Sequence, residues 1–178
     1  MPTEILVRYG TMPEVSRFDA DSIGAVVRGE KVLVQTHRGL QLGEVLDPVR
    51  TSLRDPTFVP EADADTTPTS LSPVIRRASD DDLVIAQALK SDAEQAFDLW
   101  QQRITDWNLE LELIDLEWTF DRQKLILYVL NERGPDCTKL ALQAAAAGLG
   151  IVEVQPVDAE GLVSLPDSGG GCGSCGCH

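Results

Sequence analysis

Short apolar runs separated by turn residues open the chain. Ile5-Leu6-Val7, Ile23-Gly24-Ala25-Val26-Val27 and Lys31-Val32-Leu33-Val34-Gln35-Thr36 carry the aliphatic and β-branched residues of strands, with Arg28-Gly29-Glu30 as a tight connection between the last two. His37-Arg38-Gly39 then turns into Leu40–Leu46, whose alternation points Leu40, Leu42 and, past a bulge at Gly43, Val45 toward a core. Residues 1–55 are therefore expected to form a small antiparallel β-barrel-like module. Residues 56–78 change character, because Pro56, Pro60, Pro68 and Pro73 are interleaved with Asp, Thr and Ser, and they read as a linker or long surface loop.

At Ser79 the period lengthens. Ser79 is a helix N-cap with Asp82 three residues on, and Asp80, Asp81 and Asp82 lie against the positive helix end. Leu83, Ala86, Leu89, Ala93, Ala96, Phe97, Trp100 and Ile104 recur at helical spacing as far as Trp107. The resulting rod, about 42 Å at 1.5 Å per residue, is longer than the sheet it has to cover, so part of it is available to another surface. Strand alternation follows in two phases, Leu109-Leu111-Leu113 and then Ile114-Leu116-Trp118-Phe120, which a bulge near Leu113-Ile114 reconciles. Asp121–Lys124 makes a hairpin turn without glycine, and Leu125–Leu130 is a continuous apolar run and hence a central strand. Pro135–Ala147 reads as a helix stopped by Gly148, and Ile151–Val154 as a final strand. The fold class is α+β: the barrel-like module is followed over residues 79–157 by an α-β-β-α-β two-layer sandwich, and residues 158–178 form a flexible Gly/Cys-rich tail.

Charge sharpens this division. The 178 residues hold 15 Lys+Arg against 29 Asp+Glu, a net charge of −14. Residues 1–60 carry only −1 of it and residues 61–178 carry −13. The acidic second part repels a phosphate backbone, so direct nucleic-acid binding is not expected from it, and any such role falls to the N-terminal part or to a partner. No segment approaches the ~18 apolar residues of a membrane span, and the N-terminal 30 residues, with Glu4, Arg8, Glu14, Arg17, Asp19 and Asp21, lack a signal-peptide core. A cytoplasmic protein is the expectation. No phosphate-binding loop, nucleophile elbow or H-E-x-x-H occurs, which leaves no positive case for an enzyme or a small-molecule substrate.

The cysteines are the main candidate chemistry. Cys172, Cys175 and Cys177 lie in the last seven residues, beside the terminal His178. The C-x-x-C spacing lets two thiolates face one ion, and Cys177 with His178 would complete a Cys₃His set for Zn²⁺. Adjacent side chains point apart, so three ligands close more easily than four, and a site shared with Cys137 or a partner would suit an iron–sulfur cluster or soft metal. Thiol redox chemistry and an inert tail are the alternatives. Cys137 near a helix start is either a reactive thiol or, more commonly, a small half-buried residue. Arg76 and Arg77 suit phosphate or carboxylate, with pairing to the domain's own acids the simpler role. For Asp80, Asp81 and Asp82, helix capping suffices. Trp100, Trp107 and Trp118 read as core or interface aromatics, and His37 as a surface residue.

Three stretches together resemble the RicT/YaaT family, whose shared domain is named for the C-terminal region of a polymerase suppressor protein. They are Thr36-His37-Arg38-Gly39-Leu40-Gln41-Leu42-Gly43-Glu44-Val45, Ile75-Arg76-Arg77-Ala78-Ser79-Asp80-Asp81-Asp82-Leu83 and Asp115-Leu116-Glu117-Trp118-Thr119-Phe120-Asp121-Arg122-Gln123-Lys124-Leu125. The resemblance covers about residues 5–155. It implies a bacterial cytosolic adaptor whose partners are other proteins, within complexes that influence RNA processing and phosphorelay signalling, and some members ligate an iron–sulfur cluster. The family's Gly-Gly-x-Gly-x-Cys-Gly-Arg stretch is absent after residue 155, where this chain instead ends in Gly169-Gly170-Gly171-Cys172-Gly173-Ser174-Cys175-Gly176-Cys177-His178.

Overall fold

The computed structural model describes residues 4–49, 71–130, 135–158 and 161–163. Five strands close into a barrel in the order β1 (Glu4–Tyr9), β2 (Glu14–Asp19), β5 (Ser72–Arg77), β3 (Lys31–Thr36), β4 (Gly39–Val49), with β4 returning to β1. Four of the seams are antiparallel, but β2 meets β5 in parallel through Phe18↔Ser72 and Asp19↔Pro73. Ile5, Val7, Phe18, Val32, Val34, Val45 and Val74 fill the interior, where the Tyr9 ring stands edge-on to Phe18 with centroids 5.7 Å apart.

Three sequence expectations are corrected here. Ile23–Val27 is not a strand: Ile23 and Gly24 both donate to the Ala20 carbonyl, and Gly24 (φ 70°) and Gly29 (φ 87°) turn the chain. Its apolar residues Ile23 and Val26 pack on the barrel core instead of pairing in a ladder. The linker reading of 56–78 does not hold to its end, because residues 72–77 form β5, with Val74 inside the barrel and Pro73 at the short parallel seam. In β4 the inward set is Gln41, Gly43 and Val45, with Leu40 and Leu42 on the other face. The bulge falls at Leu46, where β1 steps from Leu6↔Asp47 to Val7↔Val45. Gly43 is glycine for want of room, since a Cβ there would lie 2.3 Å from Val7 Cγ1 on the neighbouring strand β1.

Helix α1 (Asp80–Asp106) begins as its sequence requires. Ser79 Oγ accepts from Asp82 N at 3.3 Å, while the Asp82 carboxylate accepts from Ser79 N at 2.8 Å, a reciprocal capping box. The same carboxylate takes Arg76 in a two-pronged pair, with Nη2 at 2.9 Å from Oδ1, so the last barrel strand is tied to the first helical turn. Further along, Leu89, Ala93, Trp100 and Ile104 are buried, whereas Leu83, predicted as a core position, is exposed together with Val84 and Ile85. The helix overhangs its sheet at this end.

The second sheet runs β6 (Glu112–Trp118), β7 (Lys124–Leu130), β8 (Ile151–Asp158), β9 (Gly161–Leu162). The pairing of β6 with β7 skips Ile114, the bulge that the change of phase requires. The glycine-free hairpin places Arg122 at φ 58°, supported by Thr119 Oγ1, which donates to Asp121 Oδ1 at 2.7 Å and accepts from Lys124 N at 3.1 Å. Helix α2 (Asp136–Ala146) crosses over to a parallel β8. Both helices pack on one face of the sheet, on Leu125, Leu127 and Val129. The other face is not open: Ile126 and Tyr128 are fully buried beneath Val157 and Met12, the latter from the turn after β1. The two-layer sandwich is thus capped by the barrel.

Arg76 and the capping bonds hold the Asp82 carboxyl well below the usual carboxylate range. A depressed folded pKa contributes stability above the unfolded pKa, about 4, and that contribution drains away as pH falls below it. Asp82→Asn is expected to lower the urea midpoint at pH 7, with the gap to wild type narrowing steadily from about pH 4 downward. A gap independent of pH would contradict the pairing.

Candidate functional site

The densest group of charged side chains lies where the barrel meets the sheet. The β3–β4 turn carries Arg38 inward, its side chain 2% exposed, while its neighbour His37 stays on the surface. The guanidinium contacts Glu14 at the start of β2. It also donates from Nη1 to the Tyr128 hydroxyl at 3.3 Å and from Nη2 to Gln155 Oε1 at 3.2 Å. Arg38 Nε lies 3.5 Å from Glu153 Oε1, whose other oxygen receives Lys124 Nζ at 2.7 Å. Neither Arg38 Nε nor Glu14 Oε1 gains an aligned hydrogen bond, so each is held by opposite charge alone.

The network continues through Tyr128, which donates to Glu117 Oε2 at 2.7 Å. Glu117 also accepts from Thr11 N at 2.9 Å and Gln41 Nε2 at 3.0 Å, and Gln41 Oε1 accepts from Thr36 Oγ1 at 2.8 Å. Burial, reinforced by the Glu117 charge, pushes the Tyr128 hydroxyl far above its ordinary value, so it stays protonated and acts as a fixed donor. Every carboxylate in the group is engaged by a cation or by donors from the opposite unit. The arrangement suits a joint better than proton transfer, which needs an acid or base able to change state within reach of a substrate.

Sequence reasoning missed this joint. Arg38 sits in a turn and its partners are scattered from Glu14 to Gln155; the one local hint is Tyr128, a hydroxyl inside an apolar run that requires a partner. The residues singled out in advance are not brought together. Arg76 pairs with Asp82 of the acidic unit, as the simple pairing role expects, whereas Arg77 pairs at 2.8 Å with Glu30 of the barrel. Asp80 and Asp81 are exposed in the first helical turn. Trp100 is buried and Trp107 and Trp118 pack on the same core, as does half-buried Cys137 in the first turn of α2. The proposed ligands Cys172, Cys175, Cys177 and His178 lie outside the described residues. Among the described residues no group of three His, Cys, Asp or Glu is placed to hold a metal, and no helix is long and apolar enough to cross a membrane.

Residues 72–145, from β5 through α2, match the PSP1 C-terminal conserved region. The chain is also similar to the Stage 0 sporulation protein YaaT of Bacillus subtilis (strain 168), at 28% identity over 170 residues and 96% of its own length. Both likenesses support the RicT/YaaT resemblance. The chain spans 57% of the length of that YaaT relative. No solved structure matches it significantly. The matched region begins with the barrel strand that carries Arg76 and includes the capping box, Glu117 and Tyr128, while Arg38 and Gln155 of the polar joint lie outside it.

Breaking one partner of a buried ion pair leaves an uncompensated charge, and here the two glutamates facing Arg38 are partly solvated, which softens the cost. Arg38→Met is expected to destabilise the chain by about 3 kcal/mol in urea unfolding, and Arg38→Lys by nearly as much because an ammonium cannot reach Glu14, Tyr128 and Gln155 together. A loss below about 1 kcal/mol for Met would show that the joint is held by apolar contacts alone.

Proposed function

We propose that this RicT/YaaT-like chain is a non-catalytic cytosolic regulatory adaptor that works by contacts with other proteins, in a complex that affects RNA processing or signalling. The observation that carries this reading is the overhanging end of α1, where Leu83, Val84 and Ile85 stand 41%, 69% and 44% exposed in succession. Three adjacent exposed aliphatic side chains on a helix that is capped and tied at its base are a surface to be covered, not a core position left unfilled. The similarity to a protein named for a stage of sporulation supports a regulatory role. Purified from its own cells under gentle conditions, the tagged chain is expected to carry a reproducible, stoichiometric set of protein companions. Elution at its own 19.4 kDa with no such companion would contradict the adaptor reading.

A second reading attaches to the tail, favoured by the Cys172-x-x-Cys175-x-Cys177-His178 spacing. We propose that these residues hold Zn²⁺ or contribute to an iron–sulfur cluster, which requires the thiols to be deprotonated on binding. Anaerobic purification followed by elemental analysis is expected to find metal in the wild-type chain and none in the Cys172→Ser, Cys175→Ser, Cys177→Ser variant. Equal content in both would rule the tail out.

A further inference from the structure

We propose that the outward face of the first half of α1 docks a basic amphipathic helix. The inference rests on the adaptor reading and specifies the chemistry of the partner. The buried side of the helix is defined by Leu89, Ala93, Trp100 and Ile104. At 100° per residue the opposite side carries Val84, Ala88 and Ser91, with Leu83 beside them, and together with Gln87 these residues line a shallow open depression. Charge decides what fits it. Asp80 and Asp81 stand at one end of the depression, and Glu94 and Asp98 at the other; all four are exposed and make no ion pair among the described residues.

Three other charges of the helix are already engaged near the body of the protein. Asp82 is taken by Arg76, Asp92 by Arg122, and Arg103 lies over the Trp100 ring at 4.8 Å. Lys90 lines a separate hollow beside Thr11, Gln41 and Glu117, so no basic side chain lines the depression itself. From Asp80 to Asp98 the face runs about 27 Å, the length of an 18-residue helix. A second copy of this chain is disfavoured, because self-pairing in either direction sets acids against acids on molecules that each carry −14. An anionic membrane surface is disfavoured for the same reason. A helix with an apolar stripe bordered by Lys or Arg satisfies both the aliphatic patch and its acidic ends, in the helix-on-groove mode of recognition.

The probe is a synthetic 18-residue helical peptide with Leu and Ala on one face and Lys along both borders, beside a control in which Glu replaces every Lys. Titration calorimetry with the full chain is expected to show saturable one-to-one binding of the Lys peptide and none of the Glu peptide. Leu83→Ser with Val84→Ser should weaken binding about tenfold, roughly 1.4 kcal/mol. Asp80→Asn with Asp81→Asn, which leaves the apolar patch intact, should weaken it several-fold, and added salt should do the same. Both double variants change only exposed side chains, and circular dichroism checks that α1 persists. Equal binding of the two peptides, or affinity unchanged by the Leu83/Val84 variant, overturns the inference. So does a wild-type dimer abolished by that variant, which would make a second copy the occupant. Failure of the peptide while native companions still co-purify would defeat this inference and leave the adaptor reading standing.

Discussion

One guanidinium, that of Arg38, organises the contact between the two halves of this protein. It is withdrawn from water at the tip of a barrel hairpin and meets side chains from β2, β7 and β8. A buried ion group of this kind is poor evidence of net stability, because desolvation cancels much of the attraction. Its consequence is geometric. Arg38 draws Glu14, Glu153, Gln155 and Tyr128 to one guanidinium, which ties the barrel to β7 and β8 of the sheet. The close approach of Gly39, where a Cβ would lie 3.2 Å from Thr119 Cγ2, and the Phe120 N to Leu40 O bond at 2.7 Å bring the backbones together at the same place.

The rest of the molecule follows from that seating. Because the barrel covers the second face of the sheet, β7 is buried on both sides and reads as the unbroken apolar run Leu125–Val129. Because β5 both closes the barrel and presents Arg76 to Asp82, the start of α1 is fixed to the barrel, while its C-terminal half is fixed to the sheet through Trp100 and Ile104. A 27-residue helix held at its base and along its far half leaves one apolar stretch outside. The joint and the exposed end of α1 are in that sense one design: the first gives rigidity, and the second is what rigidity displays to a partner.

Legibility in the sequence tracks the kind of force at work. Local chemistry is readable: Ser79 with Asp82 marks the helix start, the change of phase at Ile114 marks the bulge, and β3 stands where its aliphatic residues place it. Strands made by ladder bonds with little apolar side chain are not. In β2 only Phe18 among the large residues is buried, and β5 offers Val74 alone, so both are hidden among polar and proline-rich residues. The alternation of β4 misleads because a buried glutamine and a glycine occupy inward positions, the first serving Glu117 and the second yielding to Val7. The joint itself unites residues up to 117 positions apart, and no periodicity encodes such a meeting. Asp80 and Asp81 are legible as helix-capping charge, but a role as a border to an uncovered patch depends on knowing which side of the helix faces the sheet.

The central claim is that Arg38 makes the barrel and the α+β unit a single cooperative body. All three tryptophans, Trp100, Trp107 and Trp118, lie in the α+β unit, so their fluorescence reports that unit alone. The amides of β1 and β3, followed by hydrogen exchange across the same urea series, report the barrel. Two-state behaviour requires the two probes to coincide. In the wild-type chain they are predicted to trace one transition, and in Arg38→Met to separate into two. Separate transitions in the wild-type chain, or coincident ones in the variant, would contradict the account.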